Sequence, residues 1–138
     1  MTPSQAPLLY LGTWKLTDCR STRPELPHPI SGIVTFAMEQ DALRYHNEGA
    51  WSDGRTVTVN AAIPLDGTWC PVAGSLLSDS LSFRSMDAGF EIRMRKNGAD
   101  IGMTRSTVSA DGRTMTGGWE LLGPDGKSVT WTTILDRQ

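Results

Sequence analysis

An all-β antiparallel up-and-down barrel of about eight to ten strands is the fold this sequence predicts, and three observations predict it. Asp-Gly and Asn-Gly pairs recur at Asp53-Gly54, Asp66-Gly67, Asn97-Gly98, Asp111-Gly112 and Asp125-Gly126, and such pairs tolerate the positive φ of tight hairpin turns. Between them apolar and polar residues alternate, as where Phe90, Ile92 and Met94 interleave with Glu91, Arg93 and Arg95, the pattern of a wall with one core face and one wet face. No stretch carries the period of an amphipathic helix. An open meander of this length would expose two edges, and closing it on itself removes them.

The strands read off in chain order. "GTWKLTDC" (12–19) opens the sheet, and "GIVTFAME" (32–39), "ALRYHNEGAW" (42–51), "RTVTVNAAI" (55–63) and "SLSFRSM" (80–86) follow, rich in the β-branched and aromatic residues that suit a pleated surface. The second half is more regular: "GFEIRMRK" (89–96), "ADIGMTRSTVS" (99–109), "RTMTGGWELL" (113–122) and "KSVTWTTILD" (127–136) form a meander of consecutive hairpins. The proline-rich "STRPELPHPISG" (21–32) cannot be a central strand, because proline lacks the ladder donor, and is expected to cross or lid one end of the barrel.

At 138 residues the chain reads as one domain spanning 1–138, long enough to bury a core without disulfide or metal staples. A formal net charge of −2, with the charges scattered, provides no basic field for a polyanion, so nucleic acid is excluded as a partner. "APLLYLG" (6–12) is too short to span a membrane, and no basic segment followed by an apolar one precedes it. The expected compartment is therefore the cytoplasm, or the periplasm or exterior if a leader has been removed.

Cys19 and Cys70 form no Cys-x-x-Cys, which argues against structural zinc and leaves either two thiols or one bridge. His46-Asn47-Glu48 lacks the Pro-Cys-x-x-Cys that the zinc deaminase motif requires, and His46 has the opposite parity to Tyr45 and Asn47, which puts it on the outer face. With His28 the only other imidazole, no metal, haem or other cofactor is expected. The chain has no Gly-x-Ser-x-Gly elbow and no phosphate loop, and its aspartates fall mostly in turns, so it does not read as an enzyme. "RMRK" (93–96) alternates with the apolar face and reads as a solvated wall.

Strand parity groups Val34, Phe36 and Met38; Leu43, Tyr45, Asn47 and Trp51; Met115, Gly117, Trp119 and Leu121; and Val129, Trp131 and Thr133. Turned inward, these sets make a lumen of aromatics, methionine and a few polar groups, a lining that suits a ligand cavity or an ordinary core. Of the five tryptophans, Trp51, Trp119 and Trp131 are the candidates to line a pocket, while Trp14 is expected at the closed end.

Arg105 shares its parity with Ile101 and Met103, so if they face the core it does too. There its planar fork would anchor a carboxylate, with Tyr45 and Asn47 as neutral partners. Two alternatives stand beside this: an ion pair with Glu91 or Glu120 on neighbouring strands, or a bulge that turns Arg105 out to solvent. A buried unpaired charge is costly, so an inward Arg105 needs a partner.

The Gly12-x-Trp14 of "LGTWKL" resembles the lipocalin and calycin signature. "DGTWCPVAGS", "DSLSFRSMD", "FEIRMRKNGADIGMTRSTVSADGRTMT" and the closing "TILDRQ" are similar to segments of a family of small, mostly uncharacterised bacterial lipocalin-like proteins. Those proteins carry, in the same order, Tyr-Pro-Val-x-Gly, a Lys-x-Gly-x-x-x-Gly hairpin, an Arg followed by Val-Ser-x-Asp-Gly-Lys-Thr, and a terminal Asp-Lys/Arg-Gln. The resemblance covers nearly the whole chain and implies a calycin-like barrel, commonly exported, with no established activity. Cys70 stands where the family usually has an aromatic residue before Pro71-Val72, and Arg105 falls on the family's arginine position.

These readings converge on a monomer or homodimer that binds a small apolar or amphipathic molecule, carboxylate-bearing if Arg105 faces the lumen. The expected contacts are Tyr45, Asn47, Trp51, Met103, Arg105, Trp119 and Trp131, around a cavity of roughly several hundred Å³. The alternative is a protein-interaction module, such as an inhibitor of a secreted enzyme, that presents the proline-rich loop. For an enzyme in the barrel mouth no acid, base or nucleophile can be named.

Overall fold

The computed structural model describes residues 8–138, so Ala6 and Pro7 of "APLLYLG" lie outside the described residues. The strands are β1 (Gly12–Ser21), β2 (Pro29–Glu39), β3 (Ala42–Trp51), β4 (Thr56–Ile63), β5 (Cys70–Pro71), β6 (Ser80–Met86), β7 (Gly89–Lys96), β8 (Ala99–Val108), β9 (Thr114–Leu122) and β10 (Ser128–Arg137). They make one 10-stranded antiparallel sheet in the order β4-β3-β2-β1-β10-β9-β8-β7-β6-β5. The outer members β4 and β5 meet through a single bridge, where Asn60 and Ala73 exchange two backbone hydrogen bonds of 3.0 Å. The result is a nearly closed barrel with consecutive strands adjacent all the way round. Among the described residues no helix is long and apolar enough to cross a membrane.

All the strands expected from the sequence are present, and the two-residue β5 is added to them. β1 and β2 extend into the proline-rich segment, so only residues 22–28 remain irregular. Pro29 opens β2, where its missing N–H does little harm. The Arg23 guanidinium grips Asp125 in the β9–β10 turn through two hydrogen bonds of 2.9 and 2.8 Å, and Ser52 exchanges backbone and side-chain bonds with His28. Leu26 packs against the core.

One end of the barrel is filled by aromatic rings. Tyr10, just before β1, lies 5.8, 5.6 and 5.3 Å from the rings of Phe36, Phe83 and Phe90, each contact edge-on. Its hydroxyl donates to Ser85 Oγ at 3.0 Å, and its carbonyl accepts the Trp14 indole N–H at 2.9 Å. Arg137 locks this plug from outside: Nε donates to Gly112 O and Nη1 to Leu11 O, both at 2.7 Å, while the guanidinium lies 4.2 Å from the Trp14 ring centre.

β8 does not keep the parity that places Arg105 in the lumen, and its departure has a local cause. Asn97 and Gly98, at φ of 52° and 80°, form the tight β7–β8 turn, which pairs Lys96 with Ala99 and Arg95 with Asp100. Continued without interruption, that register would set Ile101 opposite Met94 and Arg105 opposite the inward Phe90. Instead Met94 pairs with Gly102, leaving Ile101 as the extra residue of a bulge. Every side chain beyond it changes face. Thr104, Ser106 and Val108 are buried, while Met103 and Arg105 stand on the outer wall.

Replacing Arg137 with Met should lower stability by about 1–3 kcal/mol, because it removes charge-assisted hydrogen bonds that tie two segments together and the cation over Trp14. Lysine at that position should recover only part of the loss, since it lacks the fork. Urea unfolding midpoints read this directly, and an unchanged midpoint would refute the locking role.

Candidate ligand cavity

The opposite end is not filled. A cavity of about 140 Å³ lies there between facing strands, walled by Val34 of β2, Tyr45, Asn47 and Trp51 of β3, Val57 and Val59 of β4, Leu81 of β6, Ile92 and Met94 of β7, Trp119 of β9, and Trp131, Thr133 and Leu135 of β10. The segment between β5 and β6 closes one side with Leu76 and Leu77, and the exposed Ser31 lies at the rim. The volume falls short of the several hundred Å³ expected because indoles occupy much of the lumen. Trp131 sits 5.5 Å from Trp51 and 5.8 Å from Trp119 between ring centres.

Tyr45, Asn47, Trp51, Trp119 and Trp131 are thus brought together as candidate contacts. Arg105 and Met103 are corrected to the outer face. The Arg105 guanidinium bonds Glu91 at 2.7 Å with its side chain 60% exposed, and Arg93 holds the other Glu91 oxygen at 3.2 Å. These bonds and charges hold the Glu91 carboxyl below its usual range. Met103 lies in a shallow outer groove with Ile101, Leu122 and Trp69, beside Arg95, whose guanidinium is 3.9 Å from the Trp69 ring centre.

Among the described residues the cavity wall carries no Asp, Glu, Lys, Arg or His. Its polar groups are neutral and differ in how well they are satisfied. Trp119 Nε1 donates to Thr133 Oγ1 at 3.1 Å, and Ser75 Oγ accepts the backbone N–H groups of Leu77 and Ser78. Gly117 makes the first of these possible, because a Cβ there would stand 2.6 Å from Thr133 Oγ1 and 3.1 Å from Trp119 Nε1. Trp131 Nε1, by contrast, is buried with no hydrogen-bond partner among the described residues, as is Thr104 Oγ1. Burial pushes the Tyr45 phenol up to about 12, with neighbouring Asn47 acting weakly in the other direction.

Outside the barrel, His46 sits between Asn60 Oδ1 at 2.7 Å and Glu48 at 3.3 Å, and hydrogen bonding to these groups, Asn60 first, raises its pKa. Cys19 and Cys70 are unpaired thiols; burial, helped by the Asp18 charge, lifts Cys19 to about 11, and burial lifts Cys70 too. Among the described residues no group of three or more His, Cys, Asp or Glu side chains could hold a metal.

Sequence parity did not single out Val57, Val59, Leu76 and Leu77. The two valines could have been found from the β3–β4 pairing, which sets Val59 opposite Asn47 and Val57 opposite Gly49. Leu76 and Leu77 lie in an irregular stretch that has no period to read.

The barrel and its one-ended cavity define a calycin-type β-barrel. No protein-family model and no curated protein sequence matches the chain. Among solved structures it is similar to EF1p2_mFAP2b bound to DFHBI, with a TM-score of 0.57 and 15% identity over 94% of each chain. It is also similar to zebrafish ileal bile acid-binding protein complexed with cholic acid, with a TM-score of 0.58 and 8% identity over 94% of this chain and 99% of that one. At these identities the likeness is one of fold.

Two outcomes follow from the placements. Arg105→Ala should lower stability by less than about 1 kcal/mol, since the Arg105 end of the pair is 60% exposed and Arg93 still holds Glu91, and should raise the Glu91 pKa in an NMR titration. The Glu91 contribution is present above its unfolded pKa and fades as pH falls through the depressed folded value, so the variant's deficit should disappear in acid. The Tyr45 phenol has the opposite sign: its raised pKa stabilises the fold below pH 10.0, and that contribution is lost between there and about 12. Ultraviolet titration should show a phenolate step near the upper figure that Tyr45→Phe abolishes; if Tyr45→Phe instead removes a step at 10.0, that would contradict the burial of Tyr45.

Proposed function

We propose that this protein is a small-molecule-binding barrel that takes an apolar ligand into the cavity beneath Trp51, Trp119 and Trp131. The observation that carries the reading is the asymmetry of the lumen. One end is packed solid by Tyr10, Trp14, Phe36, Phe83 and Phe90, whereas the other keeps a space of about 140 Å³ walled by aliphatic and aromatic side chains. A core built for stability alone loses dispersion contacts around such a void. Tyr45 and Asn47 supply the few polar atoms that would orient a guest. The two structural neighbours, each described with a bound small molecule, support the reading by fold analogy.

The case for a carboxylate ligand rested on Arg105 and falls with its placement on the outer wall. The ligand is accordingly apolar rather than acidic. The proline-rich segment, tied down by Arg23 and packed through Leu26, belongs to the cavity end of the barrel.

Tryptophan fluorescence with benzene, indole and 1-decanol as titrants tests the proposal, because three indoles touch the space. At least one should bind saturably, and Val59→Phe, which fills the cavity from β4, should weaken it by about tenfold or more. No saturable change with any of the three, or full binding by a folded Val59→Phe, would refute the site.

A further inference from the structure

We infer that the occupant of this cavity is an uncharged ring of about benzene to acetophenone size that carries one hydrogen-bond acceptor, taken by the indole N–H of Trp131. The inference rests on the small-molecule reading above and deepens it to a ligand class. Three independent features fix its terms.

Size comes first. A cavity of about 140 Å³ is close to the roughly 150 Å³ of an engineered apolar cavity that admits benzene. One ring with a small substituent fits; a steroid or a long acyl chain would require the barrel to open.

Charge comes second. Among the described residues the wall contains no ionisable cation, and the candidate from sequence, Arg105, is committed to Glu91 on the outer face. A carboxylate buried here would lose its water and gain no counter-charge. Acids are therefore rejected on electrostatic grounds.

The third feature is the unpartnered donor. Trp131 is 4% exposed, and its Nε1 has no hydrogen-bond partner, although the equivalent atom of Trp119, its cross-strand neighbour, is satisfied by Thr133. Buried indole N–H groups normally find a partner. Indole Nε1 only donates, so the missing group is an acceptor: a ketone, ester, ether or nitrile oxygen or nitrogen. Trp51, edge-on to Trp131 at 5.5 Å, is the ring that would tilt to admit it.

The test compares acetophenone with α-methylstyrene, which replaces C=O by C=CH₂ at the same shape, and with benzoate, which adds the charge. In fluorescence titrations both neutral compounds should bind. Trp131→Phe should weaken acetophenone by about fivefold or more while α-methylstyrene stays within about twofold, and benzoate should bind at least about a hundredfold more weakly than acetophenone. A second measurement needs no variant: in ¹⁵N-labelled protein one of the five indole N–H signals should move downfield with acetophenone and not with α-methylstyrene. If both neutral probes bind but the variant and the N–H signals fail to separate them, the acceptor is wrong while the binding function stands. Benzoate binding as tightly as acetophenone overturns the uncharged class. Binding of none of the three at millimolar concentration overturns the inference, and if benzene, indole and 1-decanol fail as well the proposed function falls with it.

Discussion

The antiparallel pairing of the first strand with the last is the contact on which this fold depends. It runs from Trp14 opposite Arg137 to Ser21 opposite Trp131, with one bulge at Thr17. Bringing together chain segments so far apart costs loop entropy before any contact rewards it. The return is that both ends of the lumen are organised by a single ladder. Trp14 and Arg137 build the plug, and Trp131, Thr133 and Leu135 wall the cavity. Without that pairing the sheet would break into two open meanders with unprotected edges.

The opposite side of the barrel is held differently. Where β4 approaches β5, the two hydrogen bonds between Asn60 and Ala73 take the place of a ladder. Gly74, at φ of 84°, lets the backbone lie directly on Thr58, where any Cβ would strike its carbonyl oxygen. Valines 57 and 59 lie on one side of this seam and Val72, Leu76 and Leu77 on the other, so the thinnest part of the wall borders the cavity and not the plug. Local opening takes the least free energy where the fewest hydrogen bonds and packed groups must separate. The seam beside the cavity is therefore where the fewest backbone hydrogen bonds would have to separate for the wall to open.

The architecture was legible in the sequence because hairpin chemistry and alternation are local. Asn97-Gly98 dictates its turn, and Phe90, Ile92 and Met94 declare their face, whatever the rest of the chain does. The resemblance to small lipocalin-like proteins pointed to the same barrel. Tyr45, Asn47, Trp51, Trp119 and Trp131 were read to the lumen by that same parity. The same parity put Met103 and Arg105 there as well, and the structure turns both outward, because the bulge at Ile101 lies between the turn that sets the register and these residues, and one inserted residue inverts all that follow. The cross-strand partner held the missing information: Glu91, on the polar face of β7, sits where an outward Arg105 needs a counter-charge. Tyr10 illustrates a different limit, since its place at the heart of the plug comes from Phe36, Phe83 and Phe90 on distant strands.

The two ends of the lumen also differ in how their polar atoms are treated. In the plug the Tyr10 hydroxyl, its carbonyl and the Trp14 indole are all bonded, so nothing there awaits a partner. At the cavity end, Trp119 and Thr133 satisfy each other across the β9–β10 ladder, yet Trp131 on the same ladder leaves its N–H idle. An orphaned buried donor costs about 1–3 kcal/mol, and phenylalanine at that position would avoid the penalty while keeping most of the ring contact. The void beside it adds a second cost of the same sign. The void and the idle N–H meet at Trp131, although Thr104 Oγ1, off the cavity wall, also lacks a partner among the described residues, and a guest that fills the space and accepts the N–H would relieve both costs at Trp131 together.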